Sequence, residues 1–398
     1  MNQATADFIR NNATADVRQL ALRGTKNPEI DLPFALDQIA GRQTARHKLP
    51  SWAAIDGIVY PPHLSMEQCS SEQTARYKGK ILADKCPDTS DVRFVDLTGG
   101  FGVDFAFIAK ALSSNGHCFT YVERQDHLCA VAKENFQRLG LSQAEVICAD
   151  GTDYLQAMSS VDIIYLDPAR RDGHGGRTYG IGDCTPDVLQ LRDLLLQKAR
   201  YVLLKLSPML DWRKAVSDLG EQYVREVHIV SVRNECKELL VLLGQGENFK
   251  LVCVNDGSVF EVKYSAIGGV SQFDEPCAGK FLYEPHASIM KAGCFAELSQ
   301  QLDVAAIAQN SHLFVSSVFT KDFPGRAFQI DSVCSLNKRE LKAHLQGIRQ
   351  ANITVRNFPL SVAELRHRLK LNEGGSTYIF ATTLASGDRV LLICRKAI

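Results

Sequence analysis

Four acidic residues stand at or near the ends of short apolar segments in the first half of the chain: Asp96, Glu123, Asp150 and Asp167. Carboxylates accept hydrogen bonds from hydroxyl pairs, amino groups and ammonium groups. In a doubly wound parallel sheet the carboxyl ends of the strands meet at one edge, and ligands bind outside that edge. The positions of the four acids therefore predict one polar ligand site.

A glycine-rich turn follows Asp96 and precedes a helical pattern that begins at Val103. The residues of the turn are Thr98, Gly99, Gly100, Phe101 and Gly102. Glycines permit tight turning, and a helix that begins behind them presents N–H groups to a ligand. Such a turn can hold a nucleotide-bearing cofactor through the backbone, and a purely structural turn is the alternative. Phe105 stands where a dinucleotide fingerprint has its third glycine, so the turn does not require a bound pyrophosphate.

The fourth acid opens a second motif, Asp167-Pro168-Ala169-Arg170-Arg171. The Asp167 carboxylate and the region of the Pro168 carbonyl are candidate acceptors for the N–H groups of a base. Arg170 has a guanidinium plane that can stack on a base or grip a phosphate with two hydrogen bonds. An alternative is that Asp167 and Arg170 form a structural ion pair.

The segment after this motif, residues 172–182, contains five glycines. This composition excludes regular structure and predicts a loop at the mouth of the site. Arg171, Arg177 and Tyr179 would give the loop cations and an aromatic ring for a polyanionic substrate. Glycine-rich surface loops without such a role remain the alternative.

Apolar segments that alternate with helical patterns position these residues. Strands are predicted at 92–97, 117–122, 144–148, 161–166, 201–206, 226–232 and 238–243. Alternating strands and helices predict an α/β fold with a Rossmann-like core, a mostly parallel doubly wound sheet. Asp150 and the following Gly151 then lie at the end of the third strand.

The chain is longer than one such core, so several domains are expected from its 398 residues. We predict a helical region at 1–90, the sheet core at 91–273, a small segment at 274–324 and a small α/β module at 325–398. The last module has twelve Lys and Arg against five acids, a net charge of +7, and the neutral chain therefore has −7 elsewhere. This pattern is typical of RNA docking, although a basic surface can also serve solubility.

Several classes of protein are disfavoured by composition. The twelve cysteines form no CxxC pair, so no metal is expected and a reduced cytoplasm is the predicted location. No stretch approaches the ~18 apolar residues of a membrane span, and the first residues do not open a signal peptide. No membrane association is therefore expected.

The segment Asp96–Gly102 resembles the first motif of class I S-adenosylmethionine-dependent methyltransferases. Asp167-Pro168 resembles the motif of those that methylate base nitrogens, but Ala169 and Arg170 replace a proline and an aromatic residue. Together with Ser71-Glu72-Gln73-Thr74-Ala75, Tyr283-Glu284-Pro285 and Lys291-Ala292-Gly293, these motifs make the chain similar, over nearly its whole length, to bacterial class I methyltransferase-like proteins with a THUMP-like C-terminal domain.

This resemblance implies S-adenosylmethionine as the cofactor and assigns roles to the residues. Gly99, Gly100 and Gly102 would seat the methionine end, with Thr98 and Gly151 also at the cofactor. Asp96 would bind the ammonium group, Glu123 the ribose and Asp150 the adenine. Asp167 and Pro168 would hold the amino group of the target base.

THUMP domains proper bind RNA, so the resemblance also implies an RNA partner, tRNA above all, and a ferredoxin-like segment at 274–324. The resulting hypothesis is methylation of a base nitrogen in tRNA or another structured RNA. A methyltransferase of a small molecule or a protein is one alternative. A catalytically silent RNA-binding scaffold is the other.

Overall fold

The computed structural model describes residues 1–86, 91–112, 118–170, 180–246, 249–263 and 272–397. The chain forms two compact units. The first comprises Met1–Arg225 and Leu240–Glu247, and the second comprises Glu226–Leu239 and Asn248–Ile398. Within the described ranges, every helix is too short or too polar to cross a membrane.

The first unit begins with a helical region. Side-chain oxygens cap several of its helices by accepting backbone N–H groups, as Asp16 does from Arg18 at 2.8 Å and Ser71 does from Thr74 at 3.3 Å. Its helices are α1 (Gln3–Asn11), α2 (Val17–Arg23), α3 (Leu32–Lys48), α4 (Pro50–Ala53), α5 (His63–Gln68) and α6 (Glu72–Ala83).

The core of the first unit is a parallel sheet. Strand order is β3-β2-β1-β4-β7, and all four neighbouring pairs are parallel. The elements are β1 (Arg93–Asp96), α7 (Val103–Leu112), β2 (Cys118–Glu123), α8 (Asp126–Arg138), β3 (Glu145–Cys148), α9 (Gly151–Ala157), β4 (Val161–Leu166), β5 (Ala169–Arg170), β6 (Cys184–Thr185), α10 (Val188–Lys198), β7 (Ala199–Leu206) and α11 (Trp212–Leu219). The predicted Rossmann-like core is confirmed, and the ends of β1, β2, β3, β4 and β7 lie within two residues of the predicted ones.

Burial explains why the strands were recognisable. Phe94 in β1, Ile163 and Ile164 in β4 and Leu203 in β7 are fully buried, because helices cover both faces of a parallel sheet. Such strands read as continuous apolar runs. Their carboxyl ends all point to the same edge of the sheet, where the four acids lie.

Two long strands are shared between the units. Strands β8 (Val224–Val232) and β9 (Glu235–Gly244) are joined by Arg233 and Asn234 alone, both with positive φ. The second unit begins inside β8, at Glu226. The physical reason is that β8 pairs in parallel with β10 of the second unit.

The second unit contains β10 (Lys250–Asn255) and β11 (Ser258–Lys263), a hairpin turning at Asp256-Gly257, and a separate seven-stranded sheet. The order in that sheet is β13-β14-β12-β15-β18-β17-β16. Its elements are β12 (Phe281–Pro285), α12 (Ala287–Ala292), α13 (Phe295–Leu302), β13 (Ala305–Ala306), β14 (Phe314–Ser316), β15 (Gly325–Cys334), α14 (Lys338–His344), β16 (Asn352–Arg356), α15 (Val362–Leu369), β17 (Thr377–Thr383) and β18 (Arg389–Lys396).

One apolar core joins the predicted segments 274–324 and 325–398. Leu282 and Leu313 from the former pack with Phe328, Ile330 and Leu392 from the latter. Strand β12 also pairs with β15 along Phe281–Pro285. The basic module therefore shares its sheet with the preceding segment and depends on it for stability.

Candidate active site

Thr98 forms hydrogen bonds with Asp96 at the end of β1 and with Asp167, which follows β4. Its backbone N–H donates to Asp96 Oδ1 at 2.8 Å, and its hydroxyl oxygen accepts the Asp167 N–H at 2.7 Å. Asp96 itself is only 1% exposed. Burial raises the pKa of Asp96 well above its usual range, the Thr98 N–H opposes this, and the nearby carboxylates of Asp104 and Asp167 add to the rise.

The glycine turn is fixed by the end of β2. The Glu123 carboxylate accepts the N–H groups of Gly100 and Gln125, both at 2.9 Å, and the Tyr121 hydroxyl donates to the Gly100 carbonyl. Gly100 has a φ of +56°, a conformation that favours glycine, and a Cβ there would meet nothing closer than Thr98 O at 3.8 Å. The turn therefore presents an open backbone face.

A cavity of about 520 Å³ lies at the carboxyl edge of the sheet. Three predicted site carboxylates line it, those of Glu123, Asp150 and Asp167, together with Leu97, Thr98, Arg124, Gln125, Gly151, Thr152, Ala169, Thr185, Pro186, Asp187, Gln190 and Leu191. One wall comes from the short pair β5–β6 and the start of α10. That wall was not anticipated from the sequence, because two-residue strands give no periodic signal.

Asp150 and Gly151 form the start of α9 at the cavity. Asp150 Oδ1 caps the helix by accepting the Thr152 N–H at 2.8 Å. Gly151 packs so closely on β1 that a Cβ would lie 2.2 Å from the Leu97 carbonyl oxygen. The close approach requires glycine and sets the position of the Asp150 carboxylate.

Asp167 is paired with a lysine of the neighbouring strand. Lys205 Nζ lies 2.5 Å from Asp167 Oδ2, where the β4–β7 register sets Leu166 opposite Leu204. The Asp167 side chain is 36% exposed and that of Lys205 is 15% exposed. Desolvation raises the pKa of Asp167 above its ordinary value, and Lys205 counteracts this shift.

A second charge pair lies buried close to Asp167. Lys78 of α6, with a fully buried side chain, lies 3.1 Å from Asp104 Oδ1 at the start of α7. The other oxygen of Asp104 accepts the hydroxyls of Ser70 at 2.8 Å and Tyr165 at 2.7 Å. Burial alone would raise the pKa of Asp104, but Lys78, followed by Lys205, lowers it.

The structure brings five of the predicted site residues to one cavity. Thr98, Glu123, Asp150, Gly151 and Asp167 line one cavity, whereas Asp96 lies buried beneath the turn and contacts it through Thr98. Pro168, Gly99, Gly100 and Gly102 are in adjacent loops. Arg171, Arg177, Tyr179 and the Arg170 side chain lie outside the described residues, as does most of the glycine-rich loop.

Sequence reasoning missed Lys205, Lys78 and Asp104. Lys205 is the only charged residue in the apolar segment Tyr201–Leu206, and a lone charge in a buried strand was the available signal. Lys78 lies in a helix with several other polar residues, so nothing in the sequence marks it as buried.

Three family models match the chain. A model described as THUMP domain-like matches residues 325–396, and a ferredoxin-like domain matches residues 281–324. A third, protein-L-isoaspartate(D-aspartate) O-methyltransferase, matches residues 88–172. No curated protein matches.

The crystal structure of a proposed methyltransferase from Porphyromonas gingivalis W83 is similar throughout, with 31% identity, a TM-score of 0.84 and coverage of 99% of this chain and 98% of that one. Two other solved structures are much less similar, with TM-scores of 0.41 and 0.32. A proposed class I S-adenosylmethionine-dependent methyltransferase of Listeria monocytogenes has 11% identity, a TM-score of 0.41 and coverage of 64% and 94%. A proposed rRNA methylase of Clostridium thermocellum has 15% identity and a TM-score of 0.32, and the match covers 44% of this chain and 96% of that one.

The parallel sheet, with its acids and glycine turn at the carboxyl edge, defines a class I methyltransferase fold. The chain belongs to the family of class I methyltransferase-like proteins with a C-terminal THUMP-like domain.

Proposed function

We propose that the protein is an S-adenosylmethionine-dependent methyltransferase that methylates a base nitrogen of tRNA or another structured RNA in the cytoplasm. The observation that carries the proposal is the convergence of Glu123, Asp150 and Asp167 on one cavity beside the glycine turn. No isolated motif would support it as strongly, because turns of this kind occur in several cofactor-binding classes.

The residues at the cavity fit the cofactor. A volume of about 520 Å³ falls within the range of roughly 300–1,000 Å³ that is usual for ligand sites. Glu123 is held at the end of β2, where an acid accepts both hydroxyls of a ribose. Asp150 has an exposed carboxylate for the adenine amino group, and the open face of Gly100 suits the methionine end.

Asp96 acts in this proposal by shaping the turn. With 1% exposure it is not in the cavity lining, so it would influence the cofactor's ammonium group through Thr98 and the glycines rather than by the direct contact first expected. S-adenosylmethionine, when bound, supplies an electrophilic methyl group. Asp167 and the Pro168 carbonyl region hold the target amino group, so catalysis is mainly positioning.

The RNA part of the proposal is supported by the charge of the module at 325–398. Arg326 and Arg356 pair with the buried Glu284, and Arg395 pairs with Asp331, so these cations are partly neutralised. Most of the other exposed cations of the module lie on or after its two helices: Lys338, Arg339, Lys342, Arg349, Arg368 and Lys370. Arg389 and Lys396 of β18 are exposed too. These are the candidate phosphate contacts.

Surface substitutions on α14 test the RNA partner. Changing Lys338, Arg339 and Lys342 together to alanine is expected to weaken binding of total tRNA at low salt. The log–log slope of affinity against salt should flatten by about 0.7 per lost contact on single strands, or about 2 for three contacts. Fluorescence anisotropy over a salt series measures both quantities. Deleting residues 325–398 would be a poor test, because it would expose the core around Leu282 and Leu313.

The matched control for this charge change is alanine at Arg18, Arg23 and Lys26, three exposed cations of the helical region. It removes the same charge and should leave the slope nearly unchanged. Equal slopes and affinities for the α14 variant and the wild type would eliminate α14 as an RNA-docking helix. The small-molecule or protein-substrate alternative would then become the stronger one.

Gly151→Ala tests the cofactor site. Its Cβ would collide with the Leu97 carbonyl oxygen, so α9 and the Asp150 carboxylate must move. We expect S-adenosylmethionine affinity to fall by about tenfold or more, which is about 1.4 kcal/mol, in isothermal titration calorimetry.

Gly182→Ala is the control for Gly151→Ala, because its Cβ would make only an ordinary contact of 3.6 Å with Leu189. It should bind the cofactor like the wild type. Unchanged affinity in Gly151→Ala, or binding of NAD in place of S-adenosylmethionine by the wild type, would contradict the assignment of the cavity.

A further inference from the structure

The Lys205–Asp167 pair stands where the proposed chemistry occurs. Asp167 Oδ2 is held by Lys205 Nζ at 2.5 Å, and the Asp167 backbone N–H is held by Thr98. Among the described residues, no hydrogen bond reaches Asp167 Oδ1. One oxygen is therefore fixed by the neighbouring strand while the other remains at the cavity for a ligand.

The charges around the pair are mostly negative. Asp96 at the end of β1 and Asp104 at the start of α7 both lie near enough to affect Asp167 electrostatically. On the positive side are Lys205 from β7 and, less strongly, Lys78 from α6. The charge of Lys205 also lowers the pKa of Cys69, which precedes α6. Burial has the larger effect and raises that pKa to about 11.

These surroundings would favour protonation of the Asp167 carboxylate if Lys205 were absent. A desolvated carboxylate near the Asp104 carboxylate takes up a proton more easily, and a protonated carboxyl is a poorer acceptor for an N–H group. The Lys205 ammonium group, 2.5 Å from Asp167 Oδ2, offsets this effect, and Lys78 adds a weaker contribution of the same sign.

We infer that Lys205 is a positioning residue for methyl transfer, which keeps the Asp167 carboxylate ionised and oriented with Oδ1 toward the target amino group. The inference rests on the proposed function. As the target nitrogen bonds to the methyl carbon, the bond from that carbon to the cofactor's sulfur would break and S-adenosylhomocysteine would leave. The nitrogen would then lose one proton, which an ionised Asp167 is placed to accept at Oδ1. Lys205 acts through Asp167 and does not itself contact the substrate.

The test compares Lys205→Met with Lys205→Arg. Methionine keeps the length of the side chain without its charge, and arginine restores the charge. Selective ¹³C labelling of aspartate carboxyl groups allows the titration of Asp167 to be followed by NMR, with Asp167→Asn assigning its signal. Without Lys205 the opposing charge is lost, so the Asp167 pKa should rise above that of the wild type.

Activity gives the second readout, with total tRNA from a strain lacking the protein as the methyl acceptor. In Lys205→Met the acid limb of the pH profile should move to higher pH, and the rate at pH 6 should fall about ten- to a hundredfold, with a smaller loss at pH 9. Lys205→Arg should recover most of the rate. Lys214→Met, an exposed lysine of α11, is the control and should behave like the wild type.

The two readouts separate the inference from the proposed function. If the wild type methylates no RNA, the proposed function fails, but the carboxyl titration still decides what Lys205 does. An Asp167 titration that is the same in Lys205→Met and the wild type would overturn the inference. An equal loss of rate at every pH, unrelieved by arginine, would do so as well.

Discussion

Replacing Asp167 by asparagine is expected to lower kcat for RNA methylation by about 10²- to 10³-fold, while S-adenosylmethionine affinity stays within a few-fold of the wild type. Asparagine keeps the shape of the side chain but removes the charge that accepts the target N–H and pairs with Lys205. The cofactor contacts proposed for Glu123 and Asp150 lie on other strand ends, so binding should survive. Single-turnover kinetics and calorimetry measure the two effects.

Asp162→Asn provides the matched control. Asp162 lies at the start of β4, the strand that Asp167 directly follows, and accepts the Arg93 N–H there. Its side chain is 33% exposed, compared with 36% for Asp167. It should retain kcat. If Asp167→Asn kept full activity, Asp167 would have no part in the mechanism, and the inference about Lys205 would fall with it.

The largest expected effect on stability comes from Lys78. Lys78→Met leaves the Asp104 carboxylate buried without its closest cation, and breaking a buried pair in this way costs about 3–5 kcal/mol of unfolding free energy. Urea denaturation followed by circular dichroism measures the loss. The effect should be greatest for the first unit, because α6 and α7 pack side by side there.

Two further variants test the cause of that loss. Lys80→Met removes an exposed lysine from the same helix and should change stability by less than about 0.5 kcal/mol. Adding Asp104→Asn to Lys78→Met should recover part of the lost stability, because the uncompensated charge is gone while the hydroxyls of Ser70 and Tyr165 keep an acceptor. A Lys78→Met protein as stable as the wild type would contradict the importance of the pair.

The sequence predicted the sheet of the first unit well, for a physical reason. Strands covered on both faces are continuously apolar, and the acids that end them interrupt the pattern at the ligand edge. Because the carboxyl ends of parallel strands meet at one edge, Glu123, Asp150 and Asp167 line one cavity. Asp96 is 1% exposed, and its carboxylate accepts the Thr98 N–H beneath that cavity.

Strand pairing between segments that are far apart in the sequence could not be predicted. Lys205 and Asp167 are 38 residues apart, and only the β4–β7 register makes them neighbours. The beginning of the second unit within β8 depends in the same way on its pairing with β10. Neither pairing leaves a periodic signal in a single sequence.

The most direct measurement is mass spectrometry of nucleosides from the tRNA and rRNA of a strain lacking the protein, compared with its parent. We expect one base-methylated nucleoside to disappear in the strain lacking the protein, to return when the wild-type protein is restored, and not to return with Asp167→Asn. Identical nucleoside profiles in the two strains, with no methyl transfer to the deletion-strain RNA by the purified protein, would contradict the proposed function.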